Sequence, residues 1–259
     1  MRVEILCPIY VDIDESDLNR SLKAMIRRLI SDLDIEKIDI VYMGKRFVIL
    51  DIEGKHERIA CTYLTKIMGQ NLCNQKINIG KEYSGRVEKI HGGEIYLDIG
   101  QEKDTEAIIP IGRFLGQVIG ESARKIENMK IIERMGIDRY FPLVIRVEKI
   151  EERSGKRRVI GGAGRRTLVL FKRWFVDRLD RVIVYGELRS KLDKIIKRTA
   201  LHRKIVKIER LGLLEHVIIC RYGVFADKVA KTLEENGVEK LKIFMPRRLK
   251  KTIKSRAIL

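Results

Sequence analysis

Between residues 189 and 210 the chain carries nine Lys or Arg side chains against two acids, Asp193 and Glu209. Arg189, Lys191, Lys194, Lys197, Arg198, Arg203, Lys204 and Lys207 are all in this stretch. Such groups neutralise phosphates, and a self-paired solvated face would need more acids nearby. Lys191, Lys194 and Arg198 share one helix face by their three- and four-residue spacings. A second basic run, Arg153, Lys156, Arg157 and Arg158, precedes Gly161-Gly162-Ala163-Gly164 and the pair Arg165-Arg166. Amides exposed at a helix start bind phosphate, and Arg165 and Arg166 would reinforce them. The glycine run is nevertheless neither a Gly-Lys-Ser/Thr loop nor a GxGxxG fingerprint. It reads better as a flexible joint, with the basic run before it as a loop tracing a phosphate backbone. After Pro246 come Arg247, Arg248, Lys250 and Lys251. They form either a solvated tail or a basic arm that orders on RNA.

Other chemistry is thinly represented. His56, His91, His202 and His216 stand far apart, without HxH, HxxxH or CxxH spacing, so no metal site is expected. Cys7, Cys61, Cys73 and Cys220 include no CxxC pair and read as reduced thiols. The acid pairs Asp12/Asp14 and Asp32/Asp34 fall at helix ends, where capping and solvation account for them. No local motif announces a catalytic residue or a cofactor. A triad that meets only in the fold stays open.

The elements that must position the cations follow from periodicity. The chain has 259 residues and a formal net charge of +18. Residues 1–80 and 81–150 each sum to zero, residues 151–180 to +5 and residues 181–259 to +13. At 45% hydrophobic residues it has ample material for packed cores. Met1–Val11 lacks the apolar core of a leader, and no apolar run nears the ~20 residues of a membrane span, so a cytoplasmic protein without membrane contact is expected. A strand over 2–11, a helix over 15–33, strands near 36–43 and 46–53, a helix over 56–69 and a strand near 75–79 give β-α-β-β-α-β, the ferredoxin-like order, for residues 1–80. Residues 181–246 repeat it, with strands at 181–185, 203–210, 214–222 and 239–245 and helices at 187–200 and 226–236. Residues 153–180 are the basic Gly-rich joint and a helix, and 247–259 the basic tail.

Residues 81–152 have another texture. Ser84-Gly85-Arg86-Val87-Glu88-Lys89-Ile90 is followed by Gly92-Gly93 and Glu94-Ile95-Tyr96-Leu97-Asp98-Ile99-Gly100, then Glu106-Ala107-Ile108-Ile109-Pro110. This resembles an S1-type OB domain, with a helical insert at 120–137 and a last barrel strand at 142–150. The resemblance implies RNA contact through Arg86, Lys89 and Tyr96. Tyr96 stands where S1 domains carry a base-stacking aromatic, and a half-buried strand tyrosine fits the residue equally. The usual second aromatic is not apparent.

The fold class expected is therefore α+β, two ferredoxin-like βαββαβ units flanking a central S1-like OB barrel. Trp174, Asp180-Arg181-Val182, Arg198-Thr199, Glu209-Arg210-Leu211-Gly212-Leu213-Leu214-Glu215-His216 and Cys220-Arg221-Tyr222-Gly223 resemble a family of archaeal basic proteins with a central S1-like segment. That resemblance implies a cytoplasmic protein and supplies no reaction. The expected function is non-enzymatic binding of structured RNA, ribosomal RNA or a ribosomal subunit first among partners, by a ribosome-associated or translation-linked factor. A DNA-binding factor, an RNA-processing enzyme and a subunit of a protein complex are the alternatives. The neutral N-terminal unit is left for a homodimer or a protein partner.

Overall fold

The computed structural model describes residues 1–73, 75–120, 125–153 and 155–249, without the side chains of 125–127 and 153. The N-terminal unit runs β1 (Arg2–Leu6), α1 (Glu15–Leu29), β2 (Lys37–Met43), β3 (Phe47–Glu53) and α2 (Glu57–Met68). The Asp14 carboxylate caps α1 by accepting from the amides of Ser16 and Asp17 at 2.9 and 3.2 Å. Leu18, Leu22, Met25 and Ile26 form its buried stripe. The strands lie in the antiparallel order β1-β3-β2.

The strand expected at 75–79 does not form. Only an isolated antiparallel bridge, Ile5 to Gln70, marks the fourth position. The barrel takes this segment instead. The Leu72 amide donates to the Gly100 carbonyl at 2.7 Å, and Ile77 is buried in the barrel core. The unit is thus βαββα with three strands, not βαββαβ.

A closed five-stranded barrel follows. It consists of β4 (Glu82–His91), β5 (Glu94–Asp98), β6 (Thr105–Pro110), β7 (Pro142–Arg153) and β8 (Lys156–Ala163), in the order β4-β5-β6-β8-β7 with β7 closing on β4. The β6–β8 pair is parallel and all other pairs are antiparallel. Two helices, α3 (Ile111–Ile119) and α4 (Lys125–Arg134), stand between β6 and β7. The insert therefore begins earlier than residue 120.

Two corrections follow from β8. The barrel ends at Ala163 rather than near residue 152, and the last barrel strand is not 142–150. The Gly-rich stretch is this closing strand and not a joint. A Cβ on Gly161 would lie 2.1 Å from the Arg146 carbonyl, so the neighbouring backbone fills the space a side chain needs. Close strand approach, rather than a phosphate or a hinge, explains that glycine.

Helix α5 (Arg165–Asp177) leads to the C-terminal unit, made of β9 (Arg181–Tyr185), α6 (Arg189–Arg198), a 3-10 turn (Leu201–Arg203), β10 (Ile205–Arg210), β11 (Glu215–Cys220), α7 (Ala226–Glu234) and β12 (Lys240–Phe244). Its sheet order β10-β11-β9-β12, antiparallel throughout, is the complete ferredoxin-like arrangement. The molecule is thus mixed α+β, a closed barrel between two ferredoxin-like sheets.

The units share cores. Phe141 of the barrel, Phe171 and Trp174 of α5, and Phe244 of β12 pack ring against ring at 5.3–6.4 Å between centroids. Leu188, Leu213 and Leu214 join the N-terminal core. Arg181 is fully buried, with its guanidinium over Trp174 and paired with Asp177. At the meeting point of the three units the Tyr10 hydroxyl donates to the Glu215 carboxylate at 2.7 Å and accepts from the Gly186 amide at 3.1 Å. The Tyr10 ring stacks on Tyr140 at 3.6 Å.

Candidate nucleic-acid interface

Two neighbouring cavities, of about 400 and 520 Å³, open where α1, α2, the barrel, α5 and β10 meet. They share Ile67, Arg86, Arg166, Leu170, Arg173, Arg210 and Leu211 as walls and so form one cleft. Eight cations line it: Arg28 from α1, Arg86 from β4, Arg165, Arg166 and Arg173 from α5, Arg189 from α6, and Lys207 and Arg210 from β10. Among the described residues the one carboxylate on its walls is Glu209, which accepts from Arg173 at 2.7 Å and pairs with Lys207 at 2.9 Å.

Helical and strand geometry explains the convergence. Arg28 ends α1 on the side away from its buried stripe. Arg166 and Arg173 lie seven residues apart on α5, two turns along one face, while Phe171, Trp174 and Phe175 bury another face. Arg189 begins α6, where its guanidinium donates to the Asp193 carboxylate at 2.9 Å and the Ile208 carbonyl at 2.8 Å.

The electrostatics of this cleft are repulsive. Partial desolvation, then the neighbouring Arg86 charge, pull the Arg166 guanidinium below its ordinary pKa. Burial, then Arg189 and Arg28, do the same to Arg210. Arg28, Arg86 and Arg210 make no ion pair among the described residues. An anion in this space would relieve every one of these contacts.

A third cavity, of about 440 Å³, lies on the barrel face and is lined by Lys89, Tyr96 and Lys156 among others. Lys89 sits 4.4 Å from the Tyr96 ring centroid, and the Tyr96 hydroxyl donates to Glu94 at 2.7 Å. Tyr96 is half-buried, with one face of its ring covered by that ammonium group. Here cations and acids alternate. Lys156 pairs with Glu106 at 3.2 Å, and Arg158 with Glu94 at 2.9 Å. Arg86 is the one residue common to this cavity and the cleft.

The structure divides the sequence-derived candidates. Arg86, Arg165, Arg166, Arg189 and Lys207 meet at the cleft, and Lys89, Tyr96 and Lys156 at the barrel face, with Arg158 bonded to the Tyr96 partner Glu94. Arg86 is 4% exposed and lies buried at the junction, lining both the cleft and the barrel-face cavity. The loop expected to trace phosphates is the β7–β8 hairpin, and Arg157 lies on β8 within it. The Arg153 side chain, Lys250 and Lys251 lie outside the described residues.

The α5 start is not open to phosphate. Glu82 already occupies it, accepting from the Arg165 amide at 2.8 Å. On α6, Lys191 is tied to Glu187 at 2.7 Å and Arg198 to Asn236 at 2.8 Å, whereas Lys194 and Lys197 are exposed and make no ion pair among the described residues. Arg203 and Lys204 are exposed in the same way. The Lys204 carbonyl accepts from the Arg221 amide at 2.9 Å, beside Tyr222, and Arg247 lies 4.5 Å from the Tyr222 ring centroid. Arg248 contacts Asp227 at 3.4 Å and lies 5.8 Å from the Phe225 ring.

Sequence reasoning missed Arg28, Tyr63, Arg173 and Arg210 as groove residues, and Tyr222 and Phe225 as exposed rings. The polar face of α1 carried a signal for Arg28, and the basic count over 189–210 included Arg210. Nothing local marks Tyr63, Arg173, Tyr222 or Phe225, because their exposure depends on which neighbours the fold brings up.

Among the described residues no group of three or more His, Cys, Asp or Glu side chains converges as a metal site requires. No helix among them is long and apolar enough to cross a membrane. Burial pushes the Cys7 and Cys220 thiols up to about 12.

No curated protein matches the chain. Among solved structures it is similar to the intact alpha subunit of aIF2 from Pyrococcus abyssi, with 11% identity, a TM-score of 0.24, and 65% of this chain and 97% of that one covered. The DUF2110 C-terminal domain matches residues 179–232, from β9 into α7. That stretch contains Asp180-Arg181-Val182, Arg198-Thr199, Glu209–His216 and Cys220-Arg221-Tyr222-Gly223.

Proposed function

We propose that this protein binds RNA without acting on it, holding a structured RNA mainly by its phosphate backbone. The observation that carries the reading is the cleft, where eight cations face one wall carboxylate. Guanidinium groups match phosphate bidentately and lose little of their hydration, so arginine in such numbers favours phosphate over carboxylate ligands. Lys194, Lys197, Arg203 and Lys204 extend the positive surface over the C-terminal unit. The OB-like barrel, sharing Arg86 with the cleft, contributes Tyr96 and Lys89 for a single-stranded segment. An S1-like role for the barrel belongs to this proposal. RNA is preferred to DNA on that ground, since phosphate contacts alone do not separate the two.

Backbone recognition suits large folded RNAs, and ribosomal RNA is the most abundant of these, which gives the translation-linked form of the reading. The test is sedimentation of native extract on a sucrose gradient with and without nuclease, joined to competition between ribosomal RNA and duplex DNA. Co-migration with one ribosomal subunit, lost on nuclease treatment, is expected. Preference for duplex DNA, or turnover of the bound RNA that a point change abolishes, would replace the reading with one of its alternatives.

A further inference from the structure

We propose that the deep end of the cleft is a binding site for a phosphate monoester, the terminal phosphate of an RNA chain or of a nucleotide, held by Arg86, Arg166 and Arg210. The RNA source of that ligand rests on the function proposed above; the site itself does not.

Arg86 is the first reason. It is 4% exposed, and its Nε is buried with no hydrogen-bond partner. A buried guanidinium with an orphaned N–H is an incomplete arrangement that a ligand oxygen would complete. Among the described residues no carboxylate completes it. Glu215 is close enough to be felt electrostatically, yet it accepts from the Tyr10 hydroxyl at 2.7 Å and makes no ion pair with Arg86.

The neighbours point the same way. Nη1 of Arg166 donates to the Lys66 and Ile67 carbonyls at 3.3 and 3.1 Å, which fixes the guanidinium at the cleft wall and leaves Nη2 uncommitted among the described residues. Arg210 has no ion pair among them. The nearby acids are committed elsewhere, Glu209 to Arg173 and Lys207, and Glu82 to the Arg165 amide.

Number and charge select the ligand. A terminal phosphate offers three free oxygens and close to two negative charges, which three guanidinium groups can share. An internal phosphodiester offers two oxygens and one charge. Tyr63, 41% exposed, lines the same cleft and supplies a ring for the attached base.

The experiment compares two fluorescent RNA oligomers of one sequence, one ending in a 5′-phosphate and one in a 5′-hydroxyl, binding to the full chain. A nucleoside 5′-monophosphate serves as the third probe, read by thermal stabilisation against chloride at equal ionic strength. Expected are about tenfold tighter binding of the phosphorylated oligomer and stabilisation by the monophosphate. Both effects should disappear in Arg210→Gln and, independently, in the more exposed Arg166→Gln. Equal binding of both oligomers with no stabilisation by the monophosphate overturns the site while leaving RNA binding intact. Stabilisation by the monophosphate without binding of either oligomer upholds the site and overturns the RNA reading.

Discussion

The barrel face and the junction cleft hold similar numbers of cations and differ in what stands beside them. Among the described residues seven Lys or Arg residues and four acids line the barrel cavity, whereas eight cations and one acid line the cleft. On the barrel face Arg46 bonds Asp98 at 2.6 Å and Lys156 bonds Glu106 at 3.2 Å. In the cleft Arg28, Arg86 and Arg210 make no ion pair among the described residues. Two of those three come from stretches whose net charge is zero, Arg28 of α1 from residues 1–80 and Arg86 of β4 from residues 81–150. Segment charge therefore does not locate an interface. What matters is which charges the fold leaves unpaired, because a paired cation must release its own carboxylate before it serves a phosphate.

The largest effect that sharpens this contrast is expected from the double change Arg166→Gln with Arg210→Gln. A charge-assisted hydrogen bond contributes about 1.5–3 kcal/mol, so the loss of two should weaken RNA binding about a hundredfold. The slope of log affinity on log salt should also shrink by about 1.5. Unchanged affinity with an unchanged salt slope would remove the cleft from the interface.

Stability supplies the next test, because buried titratable groups lie beneath the cleft. Burial, reinforced by Arg210, lowers the His216 pKa to about 3. Unfolding returns it to about 6.5, so between those values the unfolded chain binds the extra proton and this group's contribution to stability falls as pH falls. At pH 5 that is about 2 kcal/mol. Glu215 acts oppositely. Burial raises its pKa, so above the unfolded value of about 4.5 the folded chain holds the extra proton, and its contribution falls as pH rises. The two slopes oppose each other where their windows overlap. Denaturant melts across pH 4–7 should therefore rise more steeply with pH in Glu215→Gln than in the parent chain, and should slope downward in His216→Gln. Parallel profiles in all three would show that neither group titrates as its burial requires.

Sequence periodicity made the C-terminal unit legible because its two central strands are apolar enough to be recognised alone: β9 and β11 are buried at every position. The N-terminal fourth strand failed because Leu72 and Ile77 are apolar for the barrel, and local pattern cannot say which core a residue joins. Gly161 misled for a related reason, since a glycine demanded by close strand approach looks like a hinge in one dimension. The candidate site was half legible. Basic density found Arg166, Arg189 and Lys207, but Arg28 and Arg86 reach the cleft only through contacts between units.

A smaller effect tests the barrel side. Tyr96→Ala removes the ring on which Lys89 sits, and with it the surface available for a base. Stacking contributes about 1–3 kcal/mol per base, so single-stranded RNA should bind about fivefold more weakly or worse, with little change in salt slope. If Tyr96 is only a packing residue, affinity holds and thermal stability falls instead, which melting curves of the same variant would separate.

The smallest effect is the most discriminating. Lys156→Gln with Arg158→Gln removes two positive charges, the same number as Arg166→Gln with Arg210→Gln. Each barrel-face cation leaves a carboxylate behind, Glu106 and Glu94 respectively. Because those cations already spend their attraction on these partners, RNA affinity should fall only about twofold. Equal net charge with unequal loss would show that pairing decides the interface, measured by anisotropy at one salt concentration. Equal losses in the two double variants would instead mean that RNA responds to the long-range field of the whole molecule, and the distinction between cleft and barrel face would have no energetic content.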